Sequence, residues 1–257
     1  MYVLIKTYMD IGILKESARQ ERRVAITPNV ISKICKLGHN ILVEKELGLE
    51  ANFSDSEYVE SGAVISDISS IWSCDVILKI NKPHKDEVDK LSKNQTLISF
   101  FSPATHPDLL KKCAKDNINI LSMDSVPRIS RAQKMDALSS MANVAGSRAV
   151  IEAAHIFGRF FGGQITAAGK IPPAKVLIIG AGVAGLSAIG TASSLGAIVR
   201  AFDTRPEVKE QVESLGAQFL TISLDEDGSS SDGYAKVMSK EFIDAEMSLF
   251  KEQCKDV

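Results

Sequence analysis

The chain has 257 residues, of which 45% are hydrophobic and 24% charged, and its formal net charge is −2. This composition excludes a disordered chain, a collagen-like repeat and a disulfide-rich scaffold, and the length suffices for one large α/β domain or two smaller ones. The near-neutral charge gives no electrostatic reason to expect a nucleic acid partner. The four cysteines are scattered without a C-x-x-C pair, which favours free thiols and indicates no metal site.

The first half of the chain alternates short apolar runs with helical patterns, which is typical of a parallel, doubly wound sheet. Thr27 and Pro28 predict a helix start, because Thr favours the N-cap and Pro the first helical turn. Ser54 and Glu57 have the spacing of a capping box and predict another helix start. The predicted strands cover residues 11–14, 41–43, 76–80, 97–101 and 118–121.

The polar segment over residues 122–142 breaks this rhythm. Residues 144–161 follow as a long, mostly apolar helical pattern, which is typical of a buried helix. We therefore predict an N-terminal α/β lobe over residues 1–142 and a second lobe over residues 143–257. In the second lobe the patterns predict strands at 175–179, 197–202 and 217–220, and helices at 183–195, 206–215 and 234–251.

Gly180, Gly182 and Gly185 form a G-x-G-x-x-G pattern between a predicted strand and the helix that opens with Val183 and Ala184. In dinucleotide-binding folds the first glycine permits a tight turn, the second lets a pyrophosphate approach, and the third allows close packing of helix on strand. The helix N-terminus adds N–H donors for the phosphates. Together with the alternation of strands and helices in both halves of the chain, this pattern predicts an α/β protein with two Rossmann-like, doubly wound lobes and a cleft between them.

Asp203 lies at the end of the next predicted strand and is followed by Thr204 and Arg205. A carboxylate there accepts hydrogen bonds from the adenosine ribose and repels a 2′-phosphate, which favours NAD(H) over NADP(H). The positive charge of Arg205 weakens the repulsion of a 2′-phosphate, but the negative charge of Asp203 is expected to decide the preference. The alternative, a glycine-rich turn without a ligand, is disfavoured by the strand–turn–helix context.

The segment from Arg128 to Ser139 is ambiguous on its residues alone. Its charge pattern favours a solvated loop that runs into a capped helix. Arg128 or Arg131 offers a cation for a pyrophosphate, and Gln133 and Asp136 offer hydrogen bonds.

Longer motifs carry a resemblance to a known family. They are RISRAQKMDALSSMAN at residues 128–143, GQITAAG at 163–169, GAGVAG at 180–185, RAFDTRPEVKEQV at 200–212 and GYAKVM at 233–238. Together they resemble the NAD(H)-binding domain of proton-translocating NAD(P) transhydrogenase, in its bacterial alpha-subunit form, over residues 11–257. RVAITP at 23–28 and GHNILVE at 38–44 fit the related alanine dehydrogenases equally well.

The resemblance implies that this chain binds NADH, that a separate domain binds NADP⁺, and that hydride passes directly between the two nicotinamides. It also implies a transmembrane proton-channel partner, a homodimer, and a soluble chain held by its partners at the cytoplasmic face of the bacterial inner membrane. Asp203 matches the acid at the adenosine ribose, Tyr234 matches a loop that closes over nucleotide, and Gln133 is expected to reach toward the NADP(H)-binding domain. The residues that match the family's loop at the nicotinamide end are Arg128, Gln133, Asp136 and Ser139.

This sequence departs from the family pattern in two places. Ser147 stands where the family usually has Tyr, which removes an aromatic group and is expected to weaken the site. The family's domain continues past Val257, so the second lobe is expected to be incomplete.

Two other functions compete with the transhydrogenase interpretation. An alanine dehydrogenase must deprotonate an amine and add water to an imine, which requires a Lys or His in the cleft. The positions that carry these groups in that family are here Asn81 and Ser102, and His84 and His106 are expected at the surface. The third interpretation is an inactive nucleotide-binding fragment.

Overall fold

The computed structural model describes residues 8–223, 228 and 236–257. The chain forms two compact units, Met1–Asp136 and Ala137–Val257, the N-terminal unit and the C-terminal unit. The boundary predicted between residues 142 and 143 falls inside helix α6 (Ala137–Phe157) and stays a prediction.

The described residues of the N-terminal unit form one parallel, six-stranded sheet in the order β3-β2-β1-β4-β5-β6. This order is typical of doubly wound α/β proteins, so the predicted fold class is confirmed. The strands are β1 (Asp10–Ile13), β2 (Asn40–Glu44), β3 (Val64–Ser66), β4 (Val76–Asn81), β5 (Thr96–Phe100) and β6 (Asn119–Ser122). The helices are α1 (Pro28–Cys35), α2 (Asp55–Glu60), α3 (Ile68–Trp72), α4 (Lys85–Val88) and α5 (Pro107–Lys115).

Apolar side chains cover both faces of this sheet. Val76 and Ile77 are consecutive in β4 but belong to different clusters of buried side chains, because neighbouring residues of a strand point to opposite faces. Val76 shares its cluster with Ile13 and Val43, whereas Ile77 shares its cluster with Leu97. Burial on both faces explains why these strands are continuous apolar runs rather than alternating ones.

Two helix starts follow their local sequence signals. Thr27 is the N-cap residue of α1, and Pro28 is its first helical residue. The Ser54 hydroxyl accepts the N–H of Glu57, and the Glu57 carboxylate accepts the Ser54 N–H at 2.7 Å, which completes the predicted capping box.

The described part of the C-terminal unit has a parallel sheet in the order β11-β10-β9 and a separate antiparallel hairpin, β7–β8. Its strands are β7 (Gln164–Thr166), β8 (Gly169–Ile171), β9 (Lys175–Ile179), β10 (Ile198–Phe202) and β11 (Gln218–Phe219). After α6 its helices are α7 (Val183–Ser194), α8 (Lys209–Ser214) and α9 (Lys240–Gln253).

Helices α6 and α9 differ from the sequence prediction at three boundaries. Helix α6 begins at Ala137 rather than at residue 144, because the good helix formers Ala137, Leu138 and Met141 lie within the segment whose polarity suggests a loop. It ends at Phe157, before the positive φ of Gly158, rather than at residue 161. Helix α9 begins at Lys240 rather than at residue 234, after the N-cap Ser239.

Helices α6 and α7 approach each other so closely that one contact has no room for a side chain. A Cβ atom on Gly146 would lie 1.9 Å from the carbonyl oxygen of Ala184 in the first turn of α7. Next to this contact the Thr191 hydroxyl donates to Ser147 Oγ at 3.0 Å, and the Ser187 hydroxyl donates to the Asn143 carbonyl at 2.7 Å. Packing against α6 therefore fixes the start of α7.

Replacing Gly146 by Ala is expected to destabilise the protein by about 1–3 kcal/mol or more, because the added methyl group meets backbone rather than a movable side chain. The matched control is Gly190→Ala in α7, where an added Cβ would have no heavy atom within 4 Å apart from the adjoining backbone of its own helix. That control should stabilise the chain by up to about 1 kcal/mol, since Ala is the better helix former. Urea unfolding followed by circular dichroism measures both; equal stability of the two variants would contradict the close contact.

Candidate functional site

The turn between β9 and α7 is built by the three glycines of the G-x-G-x-x-G pattern. Gly180 has a φ of 90°, a conformation that favours glycine, and its N–H donates to the Phe202 carbonyl of β10 at 2.8 Å. A Cβ on Gly185 would lie 1.7 Å from the Gly180 carbonyl oxygen. Gly182 is the N-cap residue of α7 and is exposed. The sequence thus forces helix and strand together and leaves Gly182 open to solvent.

The N-terminus of α7 follows directly. Val183 and Ala184 are its first residues, and the N–H groups of a first helical turn have no acceptor within the helix. The helix dipole adds partial positive charge at the same point. This end of α7 is suited to bind an anion, and phosphate is the usual ligand of such a turn.

Asp203 directly follows β10 and lies beside this turn. Its carboxylate accepts the Ala181 N–H at 2.7 Å, which connects it to the glycine turn, and the Arg205 N–H at 2.9 Å. The Arg205 side chain also donates to it, from Nε at 2.9 Å and from Nη2 at 3.0 Å. Burial acts to raise the pKa of Asp203, but these hydrogen bonds outweigh it and hold the pKa below its ordinary value. Asp203 is therefore a carboxylate at neutral pH.

Thr204 lies between these residues and contacts a later segment of the chain. Its carbonyl accepts the N–H of Gly228 at 3.2 Å, and a Cβ on Gly228 would lie 2.6 Å from that carbonyl oxygen. The Lys236 N–H donates to the Gly228 carbonyl at 2.8 Å. Tyr234, predicted to close over nucleotide, lies outside the described residues, as do the neighbouring residues 229–235.

The residues predicted at the nicotinamide end lie on both sides of the unit boundary. Arg128 and Gln133 are exposed, and Gln133 belongs to a short 3₁₀ helix, Ser130–Met135. Asp136 is half-buried, and its N–H donates to the Gln133 carbonyl at 3.2 Å. Ser139 lies in the first turn of α6, in the C-terminal unit. The structure brings together the glycine turn, Asp203 and Arg205, whereas the shared role of the other four stays a prediction.

Asn81, at the end of β4, lies among carboxylates that the sequence analysis did not identify. Its N–H and side-chain amide donate to Glu16 at 3.2 and 3.1 Å, and the amide also donates to Glu21 at 3.1 Å. Hydrogen bonds from the Arg23 side chain lower the pKa of Glu21 to about 2. The signal available in the sequence was two acids in the loop that follows β1, since that loop lies at the same sheet edge as the end of β4.

Ser102, after β5, is likewise hydrogen-bonded to a carboxylate, here through its backbone N–H. It has a φ of 52°, and its N–H donates to Asp124 at 3.0 Å, next to the Phe101 N–H at 2.8 Å. Lys79, which lies two residues before Asn81 in β4, is buried and forms an ion pair with Glu87 at 2.8 Å. His84 is exposed and His106 half-buried, each at the start of a helix. Neither Asn81 nor Ser102 has a side chain that takes up or releases a proton near neutral pH.

Ser147, the departure from the family pattern, has a packing role here. Its hydroxyl oxygen accepts the hydrogen bond from Thr191, so it links α6 to α7 beside Gly146. The predicted weakening of the site by the loss of an aromatic group stays a prediction.

Residues 8–223, 228 and 236–257 contain neither a metal-binding cluster nor a membrane-spanning helix. In this range no three His, Cys, Asp or Glu side chains gather closely enough to hold a metal ion. Nor does any helix in the same range have the length and hydropathy needed to cross a membrane.

The chain is similar to transhydrogenases and alanine dehydrogenases, both in sequence and in solved structures. The NAD(P) transhydrogenase subunit alpha of Haemophilus influenzae is 57% identical over 97% of this chain, and the chain spans only 49% of that relative. The solved transhydrogenase structure from Sinorhizobium meliloti matches with a TM-score of 0.80 and 41% identity, over 82% of this chain and 64% of that one. A solved L-alanine dehydrogenase matches with a TM-score of 0.75 and 28% identity, over 82% of this chain and 60% of that one.

The two halves of the chain each match a family description. Residues 12–145 match "Alanine dehydrogenase/PNT, N-terminal domain", and residues 149–257 match "Alanine dehydrogenase/PNT, C-terminal domain". The chain therefore belongs to the alanine dehydrogenase/PNT family.

Proposed function

We propose that this chain is the NAD(H)-binding component of a proton-translocating NAD(P) transhydrogenase. In this role it binds NADH and presents the nicotinamide for direct hydride transfer to NADP⁺ on a partner domain. The observation that carries the proposal is the carboxylate of Asp203 beside an open glycine turn and the N-terminus of α7. That arrangement offers donors to a pyrophosphate and places a carboxylate where the adenosine ribose of a dinucleotide binds.

The position of Asp203 supports NAD(H) rather than NADP(H). A 2′-phosphate would place negative charge against a carboxylate whose depressed pKa keeps it ionised. Like charges at hydrogen-bonding distance are strongly unfavourable in a partly buried site. The ribose hydroxyls of NADH instead donate to the carboxylate.

Asn81 and Ser102 support transhydrogenation over oxidation of an amino acid. Hydride exchange between two nicotinamides needs proximity, orientation and exclusion of water, but no proton transfer at the reacting carbons. Amino-acid oxidation needs a general acid/base, and the amide of Asn81 and the hydroxyl of Ser102 cannot supply one near neutral pH. The higher identity to transhydrogenases than to an alanine dehydrogenase points the same way.

The partners follow from this role. We propose an NADP(H)-binding domain that docks at the nicotinamide end, a transmembrane domain that carries protons, and a homodimer of this chain at the cytoplasmic face of the bacterial inner membrane. Arg128, Asp136 and Ser139 hold the dihydronicotinamide, and Gln133 reaches toward the NADP(H)-binding domain. The exposure of Gln133 supports this last assignment.

NADH is expected to bind more tightly than NADPH, and replacing Asp203 by Ala should weaken NADH binding by about 1–3 kcal/mol through loss of a charge-assisted hydrogen bond. NADPH should lose less, because the same change removes a repulsion. Isothermal titration calorimetry measures both. Glu210→Ala removes an exposed acid from α8 and should leave both affinities unchanged. Equal or tighter binding of NADPH by the unaltered chain would exclude the proposed role of Asp203.

Alone, the chain is expected neither to oxidise alanine nor to reduce NADP⁺. Mixed with the NADP(H)-binding domain of a transhydrogenase, it should transfer hydride from NADH to an NADP⁺ analogue whose reduced form absorbs at its own wavelength. Alanine-dependent formation of NADH would instead support the alanine dehydrogenase alternative. Absence of NADH binding would contradict both the transhydrogenase function and the alanine dehydrogenase alternative.

Replacing Gln133 by Ala should slow this hydride transfer while NADH affinity stays nearly constant, because Gln133 is proposed to act on the approach of the two rings. Lys134→Ala alters the adjacent exposed residue of the same 3₁₀ helix and serves as the control. Single-turnover kinetics separates the hydride step from binding. An unchanged rate in the Gln133 variant contradicts its assigned role.

A further inference from the structure

The carboxylate of Asp203 is saturated with hydrogen bonds. A carboxylate has about four acceptor positions, two on each oxygen. Oδ1 accepts from the N–H and Nε of Arg205, and Oδ2 accepts from the N–H of Ala181 and Nη2 of Arg205. The Asp203 side chain is also only 6% exposed. A ribose therefore meets an acid with no free acceptor position.

The four donors are not equivalent. The N–H groups of Ala181 and Arg205 belong to the backbone, in the glycine turn and in the segment that follows β10. They therefore keep their positions when a side chain moves. The other two bonds come from one guanidinium on a flexible side chain. A guanidinium edge presents two donors to one carboxylate, and the 2′- and 3′-hydroxyls of a ribose do the same. The side chain of Arg205 thus offers the carboxylate the same two-point contact as the diol.

The guanidinium also lies toward the phosphate-binding turn. Its Nη2 atom is 4.0 Å from the place that a Cβ on Gly182 would take, and Gly182 is the glycine at which a pyrophosphate approaches. A guanidinium that leaves Asp203 has only a short distance to travel to reach a phosphate at this turn. It then remains close to the ribose as a positive charge.

We propose that Arg205 is a specificity-determining residue that occupies the ribose-diol position on Asp203 until nucleotide displaces it. The proposal rests on the proposed function and adds two consequences. The guanidinium competes with NADH for the acid, so it weakens NADH binding. Once displaced, it offsets the repulsion between Asp203 and a 2′-phosphate, so it narrows the preference for NADH over NADPH.

Variants at position 205 separate the two-point contact from the charge. In Arg205→Ala the backbone N–H that bonds Asp203 is kept, so the turn is preserved, while both side-chain donors are lost. We expect NADH to bind roughly threefold to tenfold more tightly and NADPH roughly tenfold more weakly. Arg205→Lys keeps the charge without the fork, so NADPH affinity should stay within about twofold of the unaltered chain.

The measurement is calorimetric titration of the full chain with NADH and with NADPH, with circular dichroism to verify folding. Lys209→Ala removes a nearby cation whose contact is Glu213, 3.9 Å away, and should change neither affinity. Tighter NADH binding together with weaker NADPH binding in Arg205→Ala supports the proposal. Weaker NADH binding, or no change with either nucleotide, overturns it and leaves Arg205 as a purely structural partner of Asp203.

The same titrations distinguish this proposal from the proposed function. If the unaltered chain binds NADH and the Arg205 variants do not shift the NADH-to-NADPH ratio, only the role of Arg205 is wrong. If the unaltered chain binds neither nucleotide, the proposed function fails and the role of Arg205 fails with it.

Discussion

The first turn of α7 is positioned by two contacts in which backbone meets backbone. A Cβ on Gly185 would lie 1.7 Å from the Gly180 carbonyl, and one on Gly146 would lie 1.9 Å from the Ala184 carbonyl. No rotation of a side chain relieves such contacts, because the opposing atoms are main chain. The third residue of α7 and the residue of α6 that faces its first turn must therefore both be glycine. The N–H groups at the start of α7, and their distance from Asp203, depend on these two close approaches.

The two sheets share a strand order, but the loops at the carboxyl ends of their strands differ. Both place strands in the 3-2-1 order, and ligands of doubly wound sheets bind at this edge. In the C-terminal unit the loop after β9 is short and glycine-rich, so it leaves donors exposed. In the N-terminal unit the loop after β1 supplies Glu16 and Glu21, which accept from Asn81 at the end of β4. The loops, not the topology, decide which edge is open to a ligand.

The sequence predicted those features whose causes are local. The glycine pattern, the capping box at Ser54 and the placement of Asp203 after a strand depend on residues only a few positions apart. It did not predict the contact between Asn81 and Glu16, or the hydrogen bond between Ser147 and Thr191, because such pairs are far apart in the chain and meet only through packing. The early start of α6 was missed for a different reason: the polarity of the segment suggested a loop although it contains the good helix formers Ala137, Leu138 and Met141. The guanidinium on Asp203 was missed although Arg205 was identified, since residue types do not specify a rotamer.

The carboxylates around Asn81 determine what pKa a basic side chain at this position would have. A lysine at this position would stand between the carboxylates of Glu16 and Glu21, and opposite charges at such distances raise the pKa of an ammonium group. A general base near neutral pH needs the opposite shift. The second cation nearby, Lys79, is already bound to Glu87. The end of β4 is thus built around a neutral amide whose side-chain N–H donors both meet carboxylates.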